Sequence, residues 1–207
     1  MTDFDLRARA WDSDPLKVER ARRVAEAIRK NVPLTPGMDG FEYGCGTGLL
    51  SFALHASLGR ITLADSSAGM LAVLREKITV SGVQNMTPIR LDLSTDTLPD
   101  ERYDIIYTLM TLHHIPNTLQ TLTDFFALLK SPGYLCIADL DREDGSFHGA
   151  GFDGHNGFDR TELTEDLEEA GFGHIRFSTV YRMVREGNGK PRSYPLFLMV
   201  AEKAWTA

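Results

Sequence analysis

Phe41-Glu42-Tyr43-Gly44-Cys45-Gly46-Thr47-Gly48-Leu49-Leu50 carries a short apolar run through three alternate glycines into a helix-like pattern. Glycines let a strand turn sharply into a helix while the backbone stays open to close approach. The helix start beyond them offers unpaired N–H groups to a polar or anionic ligand. The next apolar run, Arg60-Ile61-Thr62-Leu63-Ala64, ends in Asp65. An acid there, roughly 20 residues past the first glycine, is placed to accept both hydroxyls of a ribose. The spacing also narrows the nucleotide. A dinucleotide fingerprint needs G-x-G-x-x-G. Gly44 and Gly46 fit it, but Leu49 fills the third slot and the third glycine is Gly48.

Outward from this turn the chain alternates strand and helix. Asp14-Pro15 predicts a helix start, with a capping acid and a proline in the first turn, and the helix stops near Asn31 before Pro33. Apolar runs end near Tyr43, Ala64, Leu91, Thr108 and Asp139. Helical patterns cover 49–58, 68–80 and 117–130, while 91–103 is irregular. Such alternation predicts a doubly wound, three-layer α/β sheet. A helix at 161–170 follows, closed by Gly171, then long strands at 174–184 and 194–203 whose connection is too short for a helical crossover. The expected fold is therefore seven strands, five parallel and then a C-terminal antiparallel pair, with a lid-like N-terminal helix. Ligands in such sheets bind beyond the carboxyl ends of the strands. Gly44, Asp65, Asp92 and Thr108 all fall there.

Composition bounds the function. A 207-residue chain with 43% hydrophobic and 25% charged residues fits one soluble domain. It divides into an N-terminal segment and helix (1–35), a cofactor-binding core (36–140), an acceptor-side loop (141–160) and a C-terminal helix and strand pair (161–207). No apolar run is long enough to span a membrane, and the acidic start is unlike a signal peptide. With two cysteines, Cys45 and Cys136, the expectation is reduced thiols and a cytoplasmic location. A net charge of −7 disfavours nucleic acid as a partner. The densest basic cluster, Arg20-Ala21-Arg22-Arg23, lies on a helix whose apolar stripe is Ala21, Val24, Ala25, Ile28 and Val32, which predicts Arg20, Arg23 and Lys30 on the solvated side.

Glu42-x-Gly44-x-Gly46-x-Gly48 with Asp65 downstream resembles the first two motifs of the class I S-adenosylmethionine-dependent methyltransferases, small-molecule type. Arg90-Leu91-Asp92-Leu93 is similar to that family's adenine-binding turn, and Tyr103 to Thr108 to its fourth strand. Leu109-Met110-Thr111-Leu112-His113-His114-Ile115 resembles the segment that follows, as in members from quinone biosynthesis. The resemblance runs from about Trp11 to the C-terminus, and seven strands is the family's architecture. It implies S-adenosylmethionine as cofactor, with S-adenosylhomocysteine as product. It also implies a cofactor site of Glu42, Gly44, Cys45, Gly46, Gly48, Asp65, Ser66, Met70, Asp92, Leu93 and Thr108. Here Glu42 would serve the methionine end or hold the turn, Asp65 the ribose, Asp92 the adenine amino group, and the Leu93 N–H the ring. Trp11, in a polar segment with Phe4, either closes over ligand or docks into a core groove.

Imidazoles titrate near neutral pH, so His113 and then His114 are the first candidates for a general base. The loop after the fifth strand, 141–160, overhangs the acceptor side. Its glycines and Phe147, Phe152 and Phe158 predict a lid, with His148 and His155 as further bases. Asp139, Asp141, Asp144 and the histidines offer a divalent metal as the alternative, although their spacing matches no calcium or zinc motif, and no metal is expected. The rival functions are a nicotinamide-dependent oxidoreductase and a non-catalytic S-adenosylmethionine-binding protein. Nucleic-acid methylation is disfavoured by the charge and by the absence of an Asn/Asp-Pro-Pro-aromatic segment after the fourth strand. A small or medium organic acceptor remains the expected partner.

Overall fold

The computed structural model describes residues 3–149, 151–187 and 190–204. Seven strands make one sheet: β1 (Gly40–Tyr43), β2 (Ile61–Asp65), β3 (Met86–Arg90), β4 (Tyr103–Leu109), β5 (Leu129–Leu140), β6 (Gly173–Gly187) and β7 (Lys190–Lys203). Their spatial order is β3-β2-β1-β4-β5-β7-β6. The first five are parallel, and β7 lies antiparallel between β5 and β6. The α-helices are α1 (Asp3–Arg7), α2 (Pro15–Asn31), α3 (Leu49–Leu54), α4 (Ala68–Ser81), α5 (Thr118–Leu128) and α6 (Arg160–Glu169). The expected fold is the observed one.

Strand alternation builds the three layers. In β4, Ile105 and Tyr107 point into one apolar cluster and Ile106 into the other; in β5, Cys136 and Ala138 separate in the same way from Leu135 and Ile137. The first cluster takes in Val24 and Ile28 of α2, Leu50 and Leu54 of α3, and Leu71 and Leu74 of α4. The second takes in Leu122, Phe125 and Leu128 of α5 with Leu163 and Leu167 of α6. Central strands buried on both faces explain why β1 and β4 read as nearly continuous apolar runs.

Side chains fix where the helices begin. Asp14 accepts the Leu16 N–H at 2.9 Å, with Pro15 in the first turn. Ser67 accepts from Met70, Asn117 from Gln120, and Asp159 from Thr161. Three bounds differ from expectation. The helix expected to Leu58 ends at Leu54 in a tighter turn over His55–Ser57. α5 stops at Leu128 because Leu129 already pairs with Tyr103. β6 and β7 pair as far as Gly187 and Lys190, well into their expected connection, and residues 188 and 189 of that connection lie outside the described residues. One side chain is corrected. Arg20 is not on the solvated face with Arg23 and Lys30; it turns toward β6, where its Nη1 lies 3.0 Å from Met183 Sδ.

Candidate active site

Strand order reverses beside β1, whose neighbours are β2 and β4, and the glycine turn leaves β1 at that point. Gly44, Gly46 and Gly48 all adopt the left-handed region, with φ of 66°, 53° and 79°. At Gly44 glycine is obligatory for a second reason: a Cβ there would stand 2.2 Å from Thr111 Cγ2. At Gly46 the nearest atom to such a Cβ would be Met70 Sδ at 3.9 Å, so space is left on that side of the turn. Asp65 closes the turn. Its Oδ2 accepts the Gly46 N–H at 2.7 Å and its Oδ1 the Ser67 N–H at 2.8 Å. Burial pushes the Asp65 carboxyl above its usual range, against the pull of those two N–H groups.

Beside Asp65 lies a depression of about 350 Å³ lined by Ser66, Arg90, Asp92, Thr95 and Asp96. Asp92 Oδ1 accepts from the Ser94 N–H and hydroxyl, which shapes the turn. The Leu93 N–H donates to the Tyr43 hydroxyl at 3.1 Å, so in this conformation it is not turned to a ring in the depression. The buried Cys45 thiol is pushed well above its usual pKa by burial, which makes it a packing group rather than a nucleophile. Glu42 sits behind the turn, 2% exposed. Its carboxyl accepts from the Ser51 N–H and hydroxyl, and that hydroxyl lies 2.7 Å from the Tyr107 hydroxyl. Burial raises the Glu42 pKa to about 8. Glu42 thus ties β1 to the first turn of α3.

The N-terminal segment packs across the same edge. Asp5 accepts the Gly69 N–H and the Ser67 hydroxyl at the start of α4. Asp12 accepts from the Thr47 hydroxyl and pairs with Lys77, whose ammonium also donates to the Thr47 carbonyl. Phe4 stands edge-on to Trp11 and to His114, and Lys17 Nζ lies 3.6 Å from the Trp11 ring centre.

A histidine cluster lies between the segment after β4 and the loop after β5. His113 Nδ1 is 2.6 Å from Asp139 Oδ1, and both side chains are buried. A carboxylate can only accept, so Nδ1 carries the proton of the neutral ring and the lone pair lies on Nε2. That Nε2 is buried without a hydrogen-bond partner among the described residues, as are His148 Nε2 and Thr108 Oγ1. Ring centroids place His148 5.0 Å and His114 4.2 Å from His113, and Phe152 stacks on His148 at 3.8 Å. Burial lowers both His114 and His148 to about 4, so they are neutral and weakly basic at pH 7. His155 lies apart from the cluster. Its Nε2 donates to the Ile115 carbonyl at 2.9 Å and its backbone N–H to the His113 carbonyl at 2.8 Å, which clamps the loop down.

The loop carboxylates are engaged elsewhere: Asp139 by His113, Asp141 by Arg160 and Asp144 by Arg192. Among the described residues, no three His, Cys, Asp or Glu side chains are grouped to hold a metal. Asp104 belongs to the far end of the sheet, accepting from the Asp39 N–H and Lys130. Sequence reasoning missed Ser51, Ser67 and Thr111, which act through contacts remote in the chain. It noticed Asp139 only as a metal ligand, although an acid ending an apolar run on the ligand edge was signal enough to seek a histidine partner.

The uncrowded turn at Gly46, the Asp65 carboxyl and the adjoining depression fit an adenosyl group. A family profile described as "Methyltransferase domain" matches residues 16–176. The chain is 32% identical over 120 residues to an uncharacterised methyltransferase of Schizosaccharomyces pombe, covering 55% of this chain and 42% of that one. It is 28% identical over 162 residues to phosphoethanolamine N-methyltransferase 1 of Zea mays, covering 75% and 32%. It therefore spans less than half the length of these relatives. The structure of Haemonchus contortus phosphoethanolamine N-methyltransferase 2 in complex with S-adenosyl-L-methionine aligns over 99% of this chain and 60% of that one, with a TM-score of 0.73 and 13% identity. With the profile covering most of the sequence and the seven-stranded order matching, the chain belongs to the class I S-adenosylmethionine-dependent methyltransferase family.

Proposed function

We propose that this chain moves a methyl group from S-adenosylmethionine to a small or medium organic acceptor under residues 141–160, with His113 taking the acceptor's proton. The observation that carries this reading is the His113–Asp139 pair: a fixed tautomer whose bare Nε2 sits buried on the same sheet edge as the glycine turn. When bound, S-adenosylmethionine supplies a methyl already activated on a sulfonium. The protein's own work is then positioning, exclusion of water and proton removal. Gly46 and Asp65 would hold the adenosyl end, with Ser66 and Asp92 along its edge, while Glu42 keeps the turn in shape from behind. Phe4, His114, His148 and Phe152 would wall the reacting centre. Asp139 would stabilise the imidazolium formed on His113. His148 and His114, neutral and weakly basic, serve as walls, and His155 serves as the loop's clamp.

A small acceptor agrees with the shared fold of phosphoethanolamine methyltransferases. The net charge of −7 supports an acceptor other than nucleic acid, and no described helix is long and apolar enough to cross a membrane. A cytoplasmic setting agrees with the two free, buried thiols. Formation of S-adenosylhomocysteine from S-adenosylmethionine in the presence of each of a panel of amines, phenols, quinols and carbon acids tests the activity. Turnover with one class that falls in His113→Asn supports it. Tight cofactor binding with no turnover on any class would favour the non-catalytic binding protein.

A further inference from the structure

The guanidinium of Arg20 is out of place for its charge. Its Nε is buried and has no hydrogen-bond partner among the described residues, and its Nη1 meets only the Met183 sulfur. Burial lowers its pKa, and among the charges it feels are Asp14, Arg185 and the dyad carboxylate Asp139. Arg185 approaches from β6: its guanidinium carbon lies 3.7 Å from the Phe147 ring centre, and Nη1 donates to the Phe147 carbonyl. Its charge is felt by His148, and Phe147 packs against His148 at 4.8 Å. Most other arginines have a carboxylate: Arg7 has Asp3, Arg23 has Glu19, Arg60 has Asp39, Arg142 has Glu162, Arg160 has Asp141 and Arg192 has Asp144. Among the described residues no carboxylate comes within ion-pair distance of Arg20 or Arg185. Asp14, a carboxylate whose charge reaches both, is engaged in capping α2.

Two like charges held near each other, one of them desolvated, cost folding free energy unless an anion joins them. Met183, which Arg20 meets, and Arg185 stand two residues apart on one face of β6, and Arg185 lies over Phe147, which packs against His148 beside His113. We propose that Arg20 and Arg185 form an anion subsite for the acceptor, so that the substrate carries a carboxylate or a phosphate at one end and the methyl-accepting atom at the other. Planar guanidinium groups suit either anion because both accept paired N–H bonds. The subsite rests on the methyltransferase reading and narrows its acceptor class. It orients the acceptor by its charged end and makes the aromatic walls the contact for its middle.

The test is thermal unfolding of the full chain, with and without saturating S-adenosylhomocysteine, titrated with phosphate, benzoate or chloride at matched ionic strength. Wild type should show a saturable rise of about 3–5 °C at tenfold excess over the dissociation constant for phosphate or benzoate, and none for chloride. Whichever of the two acts at the lower concentration assigns the anion. Arg20→Met and Arg185→Met should each weaken the response at least tenfold while leaving S-adenosylhomocysteine affinity within twofold, and Arg20→Lys should recover part of it. If Arg20→Met does not fold, Arg185→Met decides, since that side chain lies at the surface. Anion responses that are absent in wild type, equal to chloride, or unchanged in the variants overturn the subsite. Failure of wild type to bind S-adenosylhomocysteine would instead overturn the cofactor reading, and the anion titration without it reports separately.

Discussion

Asp139 decides what His113 is able to do. With its carboxylate on Nδ1, the imidazole presents Nε2 as a base and gains a counter-charge when protonated. Asp139→Asn can instead donate to Nδ1 and stabilise the tautomer with the proton on Nε2. Turnover should fall about 10²–10⁴-fold with little change in S-adenosylhomocysteine affinity. Single-turnover kinetics against a calorimetric titration of the same variant separate the two effects; an equal loss of cofactor affinity would make the pair structural. Residues at this scale were unevenly legible in the sequence. Gly44, Gly46 and Asp65 announce themselves because turn geometry admits few residue types there. Arg20 did not, because helical periodicity sorts faces by apolar residues and is blind to a long side chain that reaches round to another element.

The loop 141–160 is held down at both of its limbs. The Arg142 N–H donates to the Phe158 carbonyl, the Phe158 N–H to the Leu140 carbonyl and the Glu143 N–H to the Asn156 carbonyl, while His155 pins the far limb to His113 and Ile115. Between these fixed limbs lie Phe147, His148 and Phe152, packed over the dyad. His155→Ala removes a bond worth about 1 kcal/mol, enough to raise the open population roughly fivefold. Limited proteolysis within 144–154 should speed up by that factor while S-adenosylhomocysteine affinity holds; an unchanged cleavage rate would contradict the clamp. The sequence showed this loop's place and its aromatic content, since length, glycines and position after the fifth strand are local properties. Its closure was illegible, because the bonds that tie it down end on backbone groups of residues 113, 115 and 140–143, which any side chains there would offer.

At the scale of the molecule, strand and helix alternation carried the architecture, and it did so because every buried strand must present residues to two apolar layers. The same burial leaves one acid out of balance. Glu42 has a folded-state pKa of about 8, above its ordinary 4.5, so between those values the folded chain holds a proton that the unfolded chain has released. Stability from this group is therefore full below about pH 4.5, falls as pH rises to about 8, and is level beyond. Unfolding of wild type should lose on the order of 5 kcal/mol of stability over that range relative to Glu42→Gln, and parallel curves would refute the assignment. The central claim is the adenosyl site at the glycine turn. Calorimetric titration of wild type and Asp65→Ala with S-adenosylmethionine, S-adenosylhomocysteine and NADH tests it most directly. The account predicts micromolar binding of the two adenosyl ligands alone, weakened about a hundredfold or more in Asp65→Ala; a preference for NADH, or adenosyl binding indifferent to Asp65, would contradict it.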